Sequence, residues 1–237
     1  MVHMVHLVLL PGMDGTGELF AEFVAALDSG IAPIVVRYPA DQALDYRALE
    51  RFARGFLPAD APFVLLGESF SGPVAIALAA SRPPGLLGLV LSCTFAVNPH
   101  PWFKPFQSVL RFLPISVGLA DFASPVLLGK ASTPARRSAL RKAMAGAATR
   151  VFQQRLHAVL NVDYAERLAD IDVPILYLQA SNDRIVPASA TRRLMALAPP
   201  ITVELIAGPH LLLQAMPCET AAIVSRFVRK MGATSPR

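Results

Sequence analysis

Ser69, Asp183 and His210 each follow a short apolar run that predicts a buried strand. A serine hydroxyl is a poor nucleophile until an imidazole takes its proton. The imidazole works best when a carboxylate fixes its tautomer and stabilises the cation that forms. The carboxyl ends of parallel strands open onto one edge of a sheet, where ligands bind. We therefore expect these three side chains to meet at that edge as a nucleophilic triad.

The serine lies in a tight turn, Gly67-Glu68-Ser69-Phe70-Ser71, between an apolar strand and an alanine-rich helix. A serine on such a strand-to-helix turn, with small neighbours two residues away on each side, is typical of a nucleophile elbow. The small neighbours are needed because the turn is sharp. Ser71 stands where the pattern usually has glycine, and Gly72 follows it. The alternative is an ordinary strand–turn–helix in which the serine only caps the helix.

Asp183 is the expected carboxylate of the triad. Asn182-Asp183 after a strand is also good turn chemistry, so a purely structural role is its alternative. Asp163 and Asp172 are the other candidates. Asp172 precedes its strand and would lie at the opposite edge of the sheet.

His210 is the one histidine of five that follows a late strand. The others are expected to lie in or before the first strand, or to pack or face solvent in the segment between strands four and five: His3, His6, His100 and His157. For Glu68, beside the nucleophile, we expect a structural or polar pocket role rather than proton transfer. Cys93 and Cys218 are expected to be free thiols, buried as small apolar residues.

The elements that position these residues alternate between strand and helix patterns. The predicted strands are 4–10, 31–38, 63–66, 86–92, 173–179 and 202–206. The predicted helices are 18–27, 45–56, 74–80, one opened by Thr133-Pro134, 188–197 and 219–230. This alternation predicts an α/β fold with a mostly parallel sheet of about six strands and helices on both faces.

The alternation stops between residues 96 and 170, where no strand is evident. Such an insertion in a compact domain is usually functional, so we predict a helical lid at 96–170 on a core of 1–95 and 171–237. Its first half is very apolar: Trp102, Phe103, Phe106, Leu110, Phe112, Leu113, Phe122 and Leu127. Its second half is basic: Arg136, Arg137, Arg141, Lys142, Arg150 and Arg155. A solvated helix face is the simplest interpretation of these cations, and docking of an acidic partner is the alternative.

The composition excludes several classes of function. The 237 residues are 54% hydrophobic with a formal charge of only +5, which favours a filled core. Neither a nucleic-acid motif nor a continuous apolar run of about 18–20 residues is found. The N-terminus lacks a basic region and a cleavage site, and the two cysteines form no disulfide or metal pattern. We therefore expect a cytoplasmic protein without a membrane span or a nucleic-acid partner.

Four stretches together resemble the α/β-hydrolase fold over nearly the whole chain: 10–13, 67–71, 182–187 and 208–210. The chain order serine, acid, histidine is also that of this family. The lidded layout resembles small carboxylesterases, including the pimeloyl-ester esterases, and the loop 11–17 resembles esterase/acyltransferases related to phytyl ester synthase. The resemblance implies a sheet that lacks the first two strands usual in the family.

The resemblance also assigns roles residue by residue. It implies that Ser69 is the nucleophile, His210 the general base and then acid, and Asp183 the orienting carboxylate. The backbone N–H groups of Met13 and Phe70 would form the oxyanion hole. Families with this fold often have His-Gly in the first loop, where this chain has Pro11-Gly12.

The expected activity is hydrolysis of a small-molecule carboxylic ester with an apolar acyl part, without metal or organic cofactor. Trp102, Phe103 and Phe106 are the predicted substrate-binding residues of the lid, and an acidic acyl carrier is a possible further partner. Acyl transfer, thioester cleavage and carbon–carbon hydrolysis by the same triad stay open. So does a ligand-binding receptor that keeps the fold.

Overall fold

In the computed structural model, which describes residues 4–107, 117–197 and 200–234, six parallel strands form one sheet. The strands are β1 (Val5–Leu10), β2 (Ile31–Val35), β3 (Phe63–Glu68), β4 (Leu86–Ser92), β5 (Ile175–Ala180) and β6 (Ile201–Ile206). Their order across the sheet is β2-β1-β3-β4-β5-β6, and every pair is parallel. The predicted α/β class with a six-stranded parallel sheet is confirmed.

Helices of the described residues cover both faces of this sheet. They are α1 (Ala21–Ala25), α2 (Tyr46–Arg54), α3 (Gly72–Ala80), α4 (Val117–Leu128), α5 (Pro134–Ala145), α6 (Thr149–Asn161), α7 (Ala188–Leu197), α8 (Leu212–Ala215) and α9 (Pro217–Thr234). Short 3-10 turns lie at Glu18–Phe20, Ser69–Ser71, Pro101–Phe106, Gly129–Ala131 and Glu166–Asp170. Among the described residues, none of the helices has the length and apolar character needed to cross a bilayer.

The core lies in two layers, one on each face of the sheet. Along β1 the side chains alternate, so that Val8 and Leu10 pack with α2 and α3 while Leu7 and Leu9 pack with α1, α8 and α9. Both layers are apolar because helices cover both faces of a parallel sheet. Helix α3 is buried along nearly its whole length, and its glycine and alanines let it lie close to the sheet centre.

Several helix and strand ends differ from the sequence expectation. The second strand ends at Val35 rather than 38, because the chain turns towards the loop after β1, where Tyr38 N–H donates to the Gly15 carbonyl at 2.8 Å. The helix expected over 18–27 is divided into a 3-10 turn and the short α1. Asp45 and Thr133 do cap their helices, with side-chain oxygens accepting from the N–H groups of Ala48 and Arg136.

The described residues between β4 and β5 are helices and turns, apart from one isolated bridge. That antiparallel bridge joins Val97 to Asp163. Beside it, Asn98 N–H donates to the Val162 carbonyl at 3.0 Å. The two ends of the segment between β4 and β5 therefore lie side by side. A small apolar cluster of Leu128, Leu140 and Leu211 packs α4 and α5 onto the segment after His210.

The loops after β1 and β3 face each other at the point where the strand order reverses. Strand β1 has β2 on one side and β3 on the other, so its connections diverge there. Such a switch point opens a crevice at the carboxyl edge of the sheet.

Candidate active site

Ser69 follows β3 directly, in a backbone conformation that L-residues rarely adopt. Its φ is +48°, and a left-handed conformation costs about 1–2 kcal/mol for a residue with a side chain. Gly67 makes the turn possible, because a Cβ there would lie 2.7 Å from Ala75 Cβ and 2.9 Å from the Ser71 carbonyl oxygen. A strained residue held by its surroundings is common at catalytic centres.

Ser71, which stands in place of the usual glycine, links the elbow to the loop after β1. Its hydroxyl donates to the Pro11 carbonyl. The same hydroxyl lies 2.8 Å from the Tyr38 hydroxyl. Because the proton of Ser71 is used on Pro11, Tyr38 is the donor in this second hydrogen bond. The Thr94 hydroxyl in turn donates to the carbonyl of Ser69. The departure from the motif therefore adds hydrogen bonds that fix the turn.

The structure brings Ser69, His210 and Asp183 together. Ser69 Oγ lies 2.8 Å from His210 Nε2, and His210 Nδ1 lies 2.8 Å from Asp183 Oδ2 and 3.0 Å from its Oδ1. A carboxylate only accepts hydrogen bonds, so Nδ1 carries the proton and Nε2 is free to accept the one on Ser69. The histidine is 3% exposed, which removes competing water.

Asp183 is held as a carboxylate by the loop after β5. Burial alone would raise its pKa, but the hydrogen bond and charge of His210 and the N–H groups of Val186 and Ile185 lower the pKa below its usual value. Both N–H groups donate to Oδ1 at 2.8 Å. The loops that carry the acid and the histidine are joined where Asn182 N–H donates to the Gly208 carbonyl at 3.0 Å.

The other candidate acids and histidines lie elsewhere. Asp163 accepts from the N–H of Ala165, and Asp172 forms an exposed ion pair with Arg82 at 3.3 Å. His6 lies in β1, His157 lies beside Asn161 on α6, and His3 is outside the described residues. His100 contacts the loop that carries Asp183, since its Nε2 lies 2.5 Å from the Ile185 carbonyl.

The two residues expected to form the oxyanion hole are both held through their carbonyl groups. The Tyr46 hydroxyl donates to the Phe70 carbonyl at 3.0 Å, and the two rings stack with centroids 5.0 Å apart. Arg155 Nη1 donates to the Met13 carbonyl at 2.7 Å. The backbone N–H groups of Met13 and Phe70 are thus carried by fixed segments on either side of the switch point.

The sequence interpretation that places Arg155 on a solvated helix face is wrong. Its side chain is 2% exposed. Burial lowers its pKa, while the charge of Asp14 opposes that effect. The helical period gives a signal that could have shown this, because Arg155 falls on the apolar stripe of Val151, Ala158 and Val159.

Other cations of the basic segment also contact their own chain. Arg136 pairs with Glu22 at 2.9 Å, and Lys142 pairs with Glu18 at 3.1 Å. Arg150 donates to the Asp41 carbonyl. These contacts join the insertion to the core.

Glu68 is a buried carboxyl next to Ser69. It accepts a hydrogen bond from Gln214 Nε2 at 3.0 Å. Burial raises its pKa from about 4.5 to about 8, and the charge of Asp14 acts in the same direction. At neutral pH the group is therefore largely protonated and adds little charge beside Ser69.

The predicted substrate-binding aromatic residues lie in the turn Pro101–Phe106. Trp102 is 82% exposed, and Phe103 and Phe106 are more than half exposed. Phe103 packs edge-on against His100, which in turn contacts the loop of the acid. Four other apolar residues named for this half of the insertion have side chains outside the described ones: Leu110, Phe112, Leu113 and Phe122. The side chain of Leu127 is described.

The cysteines differ in burial, contrary to the expectation that both are buried. Cys93 is buried after β4, whereas Cys218 is exposed near the start of α9. Among the described residues, no cluster of three or more histidine, cysteine or acidic side chains could hold a metal ion.

Residues 7–223 match the sequence model of the alpha/beta hydrolase family. Among solved structures, an esterase from Exiguobacterium antarcticum superposes with a TM-score of 0.82 at 15% identity, over 96% of this chain and 92% of the other. An enol-lactonase from Burkholderia xenovorans gives 0.75 at 17% identity, over 97% and 91%. These structural likenesses concern the fold.

Two curated relatives are similar in sequence. One is RutD of Klebsiella pneumoniae, whose name assigns it provisionally as a carbamate hydrolase. It is 28% identical over 210 residues, which cover 81% of this chain and 79% of that protein. The other is human monoglyceride lipase, 34% identical over 142 residues, which cover 58% and 46%.

Proposed function

This chain belongs to the alpha/beta hydrolase family, and we propose that it is a serine hydrolase of small carboxylic esters with an apolar acyl part. The observation that carries the proposal is the hydrogen-bonded series from Ser69 Oγ through His210 to Asp183. It has the polarity that nucleophilic attack requires, with an acceptor nitrogen facing the hydroxyl and a carboxylate behind the ring.

In the proposed reaction, His210 Nε2 takes the proton of Ser69 while Oγ attacks the ester carbonyl carbon. The oxygen of the tetrahedral intermediate accepts from the N–H groups of Met13 and Phe70. His210 then gives its proton to the leaving alcohol, and an acyl-enzyme remains. Water loses a proton to His210, attacks the acyl carbon and releases the acid. Asp183 stays ionised and stabilises the imidazolium in both halves.

We place the acyl part of the ester against the insertion. Trp102, Phe103 and Phe106 supply apolar surface on a turn that starts beside His100 and therefore beside the loop of the acid. Binding is stabilised when an exposed aromatic group of this kind covers an apolar ligand, because apolar surface is removed from water. The assignment of these residues to the substrate is a proposal that chain-length preference would test.

The basic segment supports a free small molecule better than a carrier-linked acyl group. An acidic acyl carrier would need unpaired cations on the surface. Arg136 and Lys142 instead pair with Glu22 and Glu18 of their own chain, and Arg155 is buried. We therefore propose a substrate that is not attached to an acidic carrier.

Carbamate hydrolysis is the second candidate, favoured by the likeness to RutD over most of both chains. The same serine could attack a carbamate carbonyl and expel its alcohol, and water would then release carbamic acid, which breaks down to an amine and carbon dioxide. Its carbonyl is less electrophilic than that of an ester, because the nitrogen donates its lone pair.

The test compares matched p-nitrophenyl esters of two to twelve carbons with the corresponding carbamates, using the native protein and Ser69→Ala. We expect turnover of the esters that Ser69→Ala abolishes, with little turnover of the carbamates. A reversed preference would replace the ester proposal with the carbamate one. Turnover that persists in Ser69→Ala would overturn both.

A further inference from the structure

We propose that Arg155, on α6 of the insertion, is a positioning residue for the oxyanion hole, so that the insertion helps to assemble the catalytic centre. This inference rests on the proposed function. It starts from one guanidinium that reaches two successive carbonyl groups in the loop after β1. Its Nη1 lies 2.7 Å from the Met13 oxygen and 2.8 Å from the Asp14 oxygen.

The loop is built to receive this side chain. A Cβ on Gly15 would lie 2.5 Å from both terminal nitrogens of Arg155, and the φ of Gly15 is +73°. The backbone conformation thus favours glycine there, and a side chain at this position would displace the guanidinium. The Asp14 side chain is tied back to the N–H and hydroxyl of Thr16 at 2.9 and 2.6 Å, which leaves its backbone carbonyl for Arg155.

These contacts fix the direction of the Met13 N–H group. In the trans peptide between Gly12 and Met13, the N–H points away from the Gly12 carbonyl. That carbonyl accepts from Gly15 N–H at 3.1 Å, and Arg155 holds the next two carbonyls. The Asp14 carbonyl and the Gly15 N–H belong to one peptide plane, so the bond from Arg155 to Asp14 holds the donor that fixes the Gly12 carbonyl, and with it the Met13 N–H in the same plane as that carbonyl.

The same guanidinium contacts the second proposed donor residue. Its carbon lies 5.9 Å from the ring centroid of Phe70 and 5.7 Å from that of Tyr38. A cation over an aromatic ring is attracted by the ring's negative face. One side chain of the insertion therefore touches both residues whose N–H groups would stabilise the oxyanion.

The experiment compares Arg155→Met and Arg155→Lys with the native protein and with Arg136→Met. Arg136 is the matched control, because it also joins the insertion to the core, through Glu22 at 2.9 Å, and its bonds do not involve the loop after β1. Four quantities are measured: kcat and KM on a p-nitrophenyl ester, affinity for a trifluoromethyl ketone, and affinity for the carboxylic acid product. The ketone forms a bond with Ser69 Oγ, whose proton passes to His210, and so creates an oxyanion. The acid product creates none.

For Arg155→Met we expect kcat to fall about 10- to 100-fold, somewhat less than the loss of a whole oxyanion donor. KM should change less than about threefold, since ground-state binding is untouched. Affinity for the ketone should fall with kcat, and affinity for the acid should not. Arg155→Lys keeps a cation and donors without the planar fork, so its loss should be smaller.

For the control Arg136→Met we expect at most a lower melting temperature. If Arg155→Met likewise lowers only the melting temperature, without a selective loss of kcat and ketone affinity, the inference is overturned. If Arg155→Met does not fold, Arg155→Lys carries the same comparison. If the native protein hydrolyses no ester, the proposed function fails, and the rate at which a fluorophosphonate labels Ser69 then tests Arg155 separately. Slower labelling of the variant supports the positioning role; equal rates, or no labelling of the native protein, overturn it.

Discussion

Gln214 donates a hydrogen bond to Glu68 across 3.0 Å, and so joins the residue before Ser69 to the helix that follows His210. Both side chains are buried. The contact ties the segments that carry Ser69 and His210 to each other. It also places a carboxyl group where solvent cannot stabilise its charge.

This burial predicts a pH-dependent stability that Glu68→Gln removes. The pKa of Glu68 in the folded protein is about 8, against about 4.5 ordinarily, so the folded state binds the proton more tightly. The stabilisation is complete below about pH 4.5 and is lost as the pH rises through 8. Between these limits the native protein should lose about 4 kcal/mol of unfolding free energy from this group.

Chemical denaturation of both proteins from pH 5 to pH 8.5 measures the effect. Glutamine keeps an acceptor oxygen for Gln214 without the titrating proton, so its stability should fall less steeply over this range. A constant difference between the two proteins at every pH would show that Glu68 does not titrate there.

Asp183→Asn should reduce kcat by about 10³- to 10⁴-fold with little change in KM. The asparagine oxygen can keep the N–H groups of Ile185 and Val186, which leaves its NH₂ group facing His210 Nδ1. Nδ1 must then accept, the proton moves to Nε2, and the imidazole can no longer take the proton of Ser69. Steady-state kinetics beside a circular dichroism spectrum would check this, and near-native kcat in a folded variant would contradict it.

The hydroxyl pair of Tyr38 and Ser71 should contribute measurably to stability. Each group is buried, and the pair connects the elbow to the Pro11 carbonyl. We expect Ser71→Ala and Tyr38→Phe each to lower the unfolding free energy by about 1–3 kcal/mol. The double variant should lose less than the sum, because the two changes remove one shared bond. Strict additivity in urea denaturation would mean that the two hydroxyls act independently.

Trp102→Ala tests the proposed contact with the acyl part. Since the side chain is 82% exposed, its removal should leave the melting temperature nearly unchanged. KM for long-chain esters should rise while KM for acetate esters stays constant, because only a long acyl chain would reach the ring. Equal changes in KM for both ester classes would contradict the proposed contact between Trp102 and the acyl chain.

The sheet and the meeting of Ser69, Asp183 and His210 were predictable because their signals are local. An apolar run followed by turn residues marks the carboxyl end of a strand, and parallel strands bring such ends to one edge. The end of β2 was missed for a different reason. Apolar residues continue to Val36 and resume at Tyr38 after Arg37, but the Tyr38 N–H bonds to the Gly15 carbonyl instead of to a neighbouring strand.

The supports of the site were harder to predict because their partners are distant in the chain. Arg155 and Met13 are 142 residues apart, and Gln214 and Glu68 are 146 apart. Neither pair forms a motif, and a charge on a helix ordinarily indicates a solvated face. Only the position of Arg155 within an apolar stripe carried a sign that it is buried.

The most direct test of the central claim is to follow p-nitrophenol release in the first milliseconds after mixing with a p-nitrophenyl ester, then quench with acid and analyse the peptides. We expect a burst approaching one equivalent per protein molecule when deacylation is the slower step, and an acyl group on the peptide that contains Ser69. His210→Ala should abolish both. Turnover with no acylated Ser69 under any quench time, or acylation of a different residue, would contradict the account.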